Sequence, residues 1–293
     1  MTGRNWKSFK DLKGDVQILS GPTLLPLTKY YRKTVVIGHD LYFLHHKGES
    51  LILQIYMKKM YKLFKNSKYI VVNSEYTKKE FMKNLQIDES RISVVYPAFD
   101  EGVFHTGTSE VRNKLNIKEG EVVLLSVGGD NPNKNVETII KMLSKLPDNY
   151  KLIRVGRNFN TIKLISDLDL SKRVILLGNI DIKFLSDLYR GSDVLVFPSL
   201  YEGFGIPVVE AMASGIPVIT SNRASLPEVA QNAGVICDPF DTECMFEAIM
   251  KITTIDSVKN ELIKKGLERA KTFSSESQFK ALIKVLELVD REK

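Results

Sequence analysis

The sequence predicts an α/β protein built as two doubly wound domains that face each other across a cleft. Each domain is expected to hold a parallel sheet with helices on both faces. Three observations carry this expectation. Ten short apolar runs alternate with helix-like stretches along the chain, and strands buried on both faces read as such continuous runs. A segment rich in Pro, Gly, Thr and Ser, residues 97–120, closes one series and opens another. The net charge of +7 lies wholly in residues 1–104, whereas residues 105–293 balance to zero, which marks two units with different partners.

The first domain, residues 1–104, reads as strands at 15–19, 33–38, 68–73 and 91–96, with helices at 49–66 and 75–85. The second, residues 105–293, reads as strands at 121–127, 151–155, 174–178, 193–197, 217–220 and 234–237. Its helices fall at 134–146, 159–168, 181–190, 206–214 and 225–231, and three more near 241–252, 255–272 and 275–291 finish the chain. Ligands in such folds bind beyond the carboxyl ends of the strands.

Composition narrows the class. With 293 residues, 43% of them hydrophobic, the chain can bury a sizeable core. Cys237 and Cys244 build neither a disulfide framework nor a zinc site, so a reducing cytosol is expected. The opening "MTGRNWKSFKDLKGD" has no apolar core of a secretory signal, and no run of 18 apolar residues occurs. The basic first third suits an anionic partner. No nucleic-acid motif accompanies it, and nucleic acid is not an expected partner.

Two strand-to-helix loops carry the candidate chemistry. In "PSLYEGFGIPVVEAMASGIPVITSN", residues 198–222, Glu202 and Glu210 flank Gly203, Phe204 and Gly205. Pro207 suits a first helical turn, which leaves the amides of Phe204, Gly205 and Ile206 to face a ligand. Helical side chains lean toward the N-terminus, so Glu210 is expected to reach the same rim. Free amides and a helix dipole favour an anion or a sugar hydroxyl. The same residues also read as a tight turn with a carboxylate on the helix dipole. The second loop, "SVGGDNPNKNVETI" at 126–139, places Gly128 and Gly129 after a strand and Lys134 near a helix entrance. It lacks the Gly-Lys-Ser/Thr element of a P-loop and reads equally as a turn with a solvated lysine. Two such loops in one domain point to a shared anionic ligand.

These stretches together resemble family 4 of the glycosyltransferases, retaining nucleotide-sugar enzymes of the GT-B fold with two Rossmann-like domains. The resemblance rests on the two glutamates of "EGFGIPVVE", with "LYRGSDVLVFPS" before them and "AMASGIPVITSN", "LPEVA" and "GVICDP" after. "SVGGDNPNKNVETI", "VILLGNI", "VVNSEYTKKEF" and "VVIGHD" extend it, so that it covers roughly residues 15 to 275. It implies transfer of a sugar from a UDP- or GDP-sugar to a glycan or lipid-linked acceptor, with no cofactor or metal required. It places Glu202 beside the transferred sugar and Glu210 on the ribose. The amides of Phe204 and Gly205 would meet the sugar and diphosphate, and Lys134 the diphosphate. Gly178 to Ile180 would border the base, and His39 would approach the sugar from the first domain. The alternative is a non-catalytic nucleotide-sugar-binding module that needs a partner chain.

Two departures from the family pattern stand out. The diphosphate Arg that commonly accompanies the Lys falls at Gly129 or Asn133 here, so Arg154 or Arg157 is expected to substitute. The text matching the family begins at Gly14, so the first domain is expected to be truncated and to need a homodimer or a partner chain. A cytoplasmic location is expected, with peripheral contact at the inner membrane face through residues 47–68. There Lys47, Lys58, Lys59, Lys62, Lys65 and Lys68 stand against Glu49. Lys58, Lys62 and Lys65 are expected on one helix face, with Leu53, Tyr56, Met60, Leu63 and Phe64 opposite.

Overall fold

The computed structural model describes residues 16–29, 33–45, 50–129, 131–156 and 161–291, and of residues 22, 23, 29 and 291 the backbone alone. Arg157, Lys47, Glu49 and the opening thirteen residues lie outside the described residues. The chain divides into two compact units, Met1–Tyr96 with Gln278–Lys293, and Pro97–Ser277.

The first unit holds four parallel strands in the order β1 (Gln17–Ser20), β2 (Thr34–Gly38), β3 (Tyr69–Val72) and β4 (Ile92–Val94). Between them run a 3₁₀ stretch Pro22–Lys29, α1 (Tyr42–His45), α2 (Leu51–Lys62) with a 3₁₀ turn Leu63–Asn66, and α3 (Glu75–Leu85). Ser74 caps α3 by accepting from the Thr77 amide at 3.0 Å. One face of the sheet packs Val36, Ile70 and Val72 against Met57, Met60, Phe64 and Phe81.

The second unit holds six parallel strands: β5 (Val122–Val127), β6 (Tyr150–Val155), β7 (Val174–Leu177), β8 (Val194–Phe197), β9 (Val218–Ser221) and β10 (Val235–Cys237). Their spatial order is β10-β9-β8-β5-β6-β7. The helices are α4 (Val111–Lys114), α5 (Val136–Leu143), α6 (Ile162–Asp167), α7 (Ile182–Gly191), α8 (Ile206–Ala213), α9 (Leu226–Ala230), α10 (Thr242–Thr254) and α11 (Asp256–Lys271). The chain builds β5, β6 and β7 outward on one side, then returns to lay β8 on the other side of β5. The carboxyl ends of β5 and β8 therefore form a topological switch point, where connections diverge and leave a crevice. Leu124, Val194 and Val196 from the sheet meet Ile139, Leu143, Met245 and Ile249 from α5 and α10 on one side.

All ten expected strands are present. Two other expectations change. The last helix, α12 (Ser275–Arg291), was read as part of the second domain. Its Val285 and Val289 instead pack on Val35 and Val71 of the first sheet and on Val95 just past β4. Cys237 and Cys244, from which neither framework nor zinc site was built, are joined as a disulfide across the β10–α10 turn. Disulfides persist in oxidising compartments, so the reducing-cytosol expectation loses the argument it rested on. Among the described residues no helix is long and apolar enough to cross a membrane.

Candidate functional site

The candidate site begins at the switch point, because the two glycine-bearing loops leave the neighbouring strands β5 and β8. Lys134 ends a 3₁₀ turn, Pro132–Lys134, between β5 and α5. Glu202 lies in the loop between β8 and α8. Its Oε1 accepts from Lys134 Nζ at 2.6 Å and from Ser199 Oγ at 2.6 Å. The ammonium also lies 5.3 Å from the centroid of the Phe197 ring. Both charged side chains are largely buried, 16% and 14% exposed, so water screens the pair less than a surface pair.

The two loops are bolted together. The Leu200 amide donates to the Asn133 carbonyl at 2.7 Å, and Asn133 Nδ2 donates to the Tyr201 carbonyl at 2.9 Å. Asn135 Nδ2 donates to the carbonyls of Pro198 at 3.3 Å and Pro239 at 2.6 Å. From the β9–α9 connection, Ser225 Oγ donates to the carbonyls of Glu202 at 2.9 Å and Phe204 at 2.8 Å. Ser221 Oγ donates to the Ser199 carbonyl at 2.5 Å. Loop carbonyls that would otherwise be buried without partners are thus satisfied by side chains, and Glu202 is held on a rigid turn.

Gly205 caps α8 with φ 111° and ψ 50°, a conformation open to glycine at little cost. Phe204 is buried with its ring edge-on to Phe273, 5.2 Å between centroids. Gly203 completes the turn between Glu202 and Phe204. One helical turn on, Glu210 lies largely buried, and its Oε2 accepts from the Tyr189 hydroxyl at 2.9 Å. Burial pushes the Glu210 carboxyl up from 4.5 to about 7, and the Tyr189 hydrogen bond opposes the rise. Burial likewise pushes the Tyr189 phenol well above its ordinary value, helped by the charge of Glu210. Glu210 was expected to reach the rim of the loop amides; its Oε2 has the buried Tyr189 phenol as partner.

On the other side of β5, a cavity of about 490 Å³ opens beyond the ends of β5, β6 and β7. Gly128, Gly129, Gly178 and Ile180 line it, with Gly156 and Leu185. Its floor depends on close backbone approach: a Cβ on Gly156 would lie 1.8 Å from the Gly128 carbonyl oxygen. Arg154 was expected to stand in for the diphosphate Arg. It is 1% exposed, and its guanidinium donates to the carbonyls of Gly128 at 2.9 Å and Gly129 at 2.7 Å. It therefore shapes the glycine loop.

The structure thus joins Lys134 to Glu202 directly and gathers Gly128, Gly129, Gly178 and Ile180 around one cavity. His39 belongs to the first unit, past the end of β2, with Nε2 3.5 Å from Ser20 Oγ. Sequence reasoning missed Ser199, which bonds Glu202 within its own loop, Ser221 and Ser225, which reach that loop from the end of β9, and Tyr189, which reaches Glu210 from α7. Only Asn133 carried a signal, as a departure from the family pattern. Among the described residues no group of three or more His, Cys, Asp or Glu side chains could hold a metal ion.

Residues 107–269 match the family model of glycosyl transferases group 1, and residues 15–102 match that of glycosyltransferase family 4. The chain is 32% identical over 226 residues to the O-antigen chain mannosyltransferase RfbU of Salmonella typhimurium, covering 75% of this chain and 61% of that one. It is 30% identical over 234 residues to the O-antigen chain mannosyltransferase B of Escherichia coli, covering 76% and 61%. The chain thus spans 61% of the length of each of these relatives. Among solved structures, Anabaena HepE in complex with UDP and glucose superposes with a TM-score of 0.84 at 18% identity, covering 96% of this chain and 79% of that one. At that identity the likeness speaks for the GT-B fold alone. A family match that spans most of the second unit, joined to these relatives, means that the chain belongs to the group 1 glycosyl transferases.

Proposed function

We propose that the chain is a retaining glycosyltransferase that moves a hexose from a nucleoside diphosphate sugar to a glycan or lipid-linked acceptor. The observation that carries the reading is the buried Lys134–Glu202 pair at the switch point, beside the glycine-lined cavity. The cavity has room for a nucleoside, and Gly178 and Ile180 would border its base. Gly128 and Gly129 let a diphosphate approach the backbone. The relatives named mannosyltransferases, and the neighbour solved with UDP and glucose, support a UDP- or GDP-sugar as donor.

The chemistry follows from charge. Cleavage of the sugar–phosphate bond leaves negative charge on the diphosphate, and Lys134 would stabilise it with the amides of the Phe204–Gly205 turn. One such donor typically contributes about 10²–10³ in rate. The bond from C1 to the phosphate oxygen breaks while the acceptor oxygen joins C1 on the same face. The acceptor proton passes to the leaving phosphate, and the nucleoside diphosphate departs. Glu202, held by Lys134 and Ser199, would contact the sugar. Glu210 would bond the ribose hydroxyls through the oxygen that Tyr189 does not occupy. The resemblance also assigns His39 a contact with the sugar. Independence from a metal rests on the same resemblance.

The test is turnover of a panel of UDP- and GDP-sugars by the purified chain, followed as release of nucleoside diphosphate. Release from one donor, lost in Glu202→Ala, is expected. Binding of the nucleoside diphosphates without release from any donor would favour a binding module.

A further inference from the structure

The turn that joins β10 to α10, residues 238–241, is fastened at several points, yet it holds a large aromatic ring out in solvent. The disulfide of Cys237 and Cys244 closes it. Asn135 Nδ2 donates to the Pro239 carbonyl at 2.6 Å. Asp238 Oδ1 accepts from the Phe240 amide at 3.0 Å, and the Asp238 carbonyl accepts from the Asp241 amide at 3.0 Å. Asp241 Oδ1 caps α10 by accepting from the amides of Glu243 at 3.1 Å and Cys244 at 2.9 Å. Phe240 at the tip is 64% exposed, and among the described residues no other aromatic ring packs on it. The other oxygen of Asp238, Oδ2, accepts from Arg223 Nη2 at 2.8 Å, and both side chains of this pair are open to solvent. Among the described residues the Arg223 guanidinium makes no other hydrogen bond, so several of its five N–H groups remain to donate.

We infer that Phe240 and the Arg223–Asp238 pair form a subsite for one pyranose ring of a glycan acceptor, stacked on the phenyl face with its hydroxyls on the ion pair. A single exposed apolar side chain is ordinary, but one presented on a pinned turn has its ordering cost met before a ligand arrives. The flanking Asp238, Asp241, Thr242 and Glu243 are polar, and the other apolar residue of the turn, Pro239, is buried. The apolar spot is thus one ring wide, far smaller than a protein interface. A pyranose fits it. The C–H groups on one face of the sugar meet the negative face of the phenyl ring, and hydroxyls at its rim accept from Arg223 and donate to Asp238. A nucleobase also stacks on such a ring, but the sheet order argues for the sugar. β10 is the edge strand opposite β7, next to the proposed base site, and at about 4.8 Å per strand the two lie about 24 Å apart. Glu202 follows β8, two strands from β10, a step of about 10 Å that a short glycan can span. Calling the bound sugar an acceptor rests on the transferase reading; the sugar site itself does not.

The experiment is saturation-transfer difference NMR of the full chain with the methyl pyranosides of glucose, galactose and mannose. Saturation should reach the ring protons on one face of at least one of these sugars. Phe240→Ala should weaken that binding on the order of tenfold, Phe240→Trp should preserve it, and Arg223→Ala should weaken it several-fold. Phe240 is exposed, so thermal melts of its variants should match that of the parent protein. Calorimetric titration of UDP and GDP into the same chain separates this inference from the donor reading. Sugar binding through Phe240 in a chain that binds neither nucleotide would support the subsite and overturn the donor reading. Nucleotide binding in a chain that shows no saturation of any of the three sugars would overturn the subsite alone. Sugar binding that Phe240→Ala leaves unchanged would overturn it as well.

Discussion

Glu210→Gln should stabilise the protein strongly at pH 8 and little at pH 5. The folded carboxyl titrates at about 7 and the unfolded one near 4.5. Below 4.5 both states hold the proton, and the group contributes nothing. Between the two values the folded state binds more protons than the unfolded state, so stability falls as the pH rises through this window. Above about 7 the whole burial cost is present, about 3 kcal/mol for a displacement of this size. Glutamine carries no charge at any of these pH values and can still accept from the Tyr189 hydroxyl. Urea denaturation should therefore show the variant more stable by about 3 kcal/mol at pH 8 and by about 1 kcal/mol or less at pH 5. That is a large share of the stability of a typical domain. An equal difference at both pH values would mean that Glu210 titrates as an ordinary carboxylate and that its burial against Tyr189 is wrong. The same variant should bind nucleoside diphosphate more weakly if the free oxygen serves the ribose. A natural sequence keeps a costly buried carboxylate where a ligand repays the cost.

Three further outcomes are expected. Gly156→Ala should displace the Gly128 carbonyl, since the new Cβ would lie 1.8 Å from it at a φ of 123°; a thermal melt at the parent's temperature would refute the packing. Ser225→Ala removes the hydroxyl that the Glu202 and Phe204 carbonyls share as donor and should cost about 1 kcal/mol in urea denaturation, with turnover falling as the turn loosens; parent-like values of both would show the turn held by other means. Reduction of the Cys237–Cys244 bond frees a loop with a sequence separation of 7 and should lower stability by about 2 kcal/mol; no response to reductant would mean that the bond does not form in solution.

The strands were legible because each is a short Val- and Ile-rich run, and parallel strands buried on both faces have few other ways to read. The Glu202–Gly205 turn was legible because a helix that starts with Gly205, Ile206 and Pro207 can start only there. Contacts between distant segments were not. Helical periodicity shows that α12 has an apolar stripe but not which sheet it covers. On α2 it placed Tyr56 inward, although Tyr56 is 48% exposed, because a phenol counts as apolar and nothing local records how wide the buried stripe is. Arg154 looked like a phosphate ligand because guanidinium groups serve that role well. Its position on β6, beside the Gly128 and Gly129 carbonyls, became visible only with the register of β5 and β6. The pairing of Glu210 with Tyr189 depends likewise on how α7 and α8 pack.

The central claim is that a nucleoside diphosphate binds beside β5 with Lys134 on its phosphates. Calorimetric titration of UDP and GDP into the chain and into Lys134→Ala tests it most directly. A buried charge-assisted hydrogen bond is worth about 1.5–3 kcal/mol, so one of the two nucleotides should bind the chain and lose at least about tenfold in affinity in the variant. Glu202→Gln, which leaves the ammonium in place, should keep its affinity and lose turnover instead. Equal affinity in a folded Lys134→Ala protein, or binding of neither nucleotide by the chain, would contradict the account.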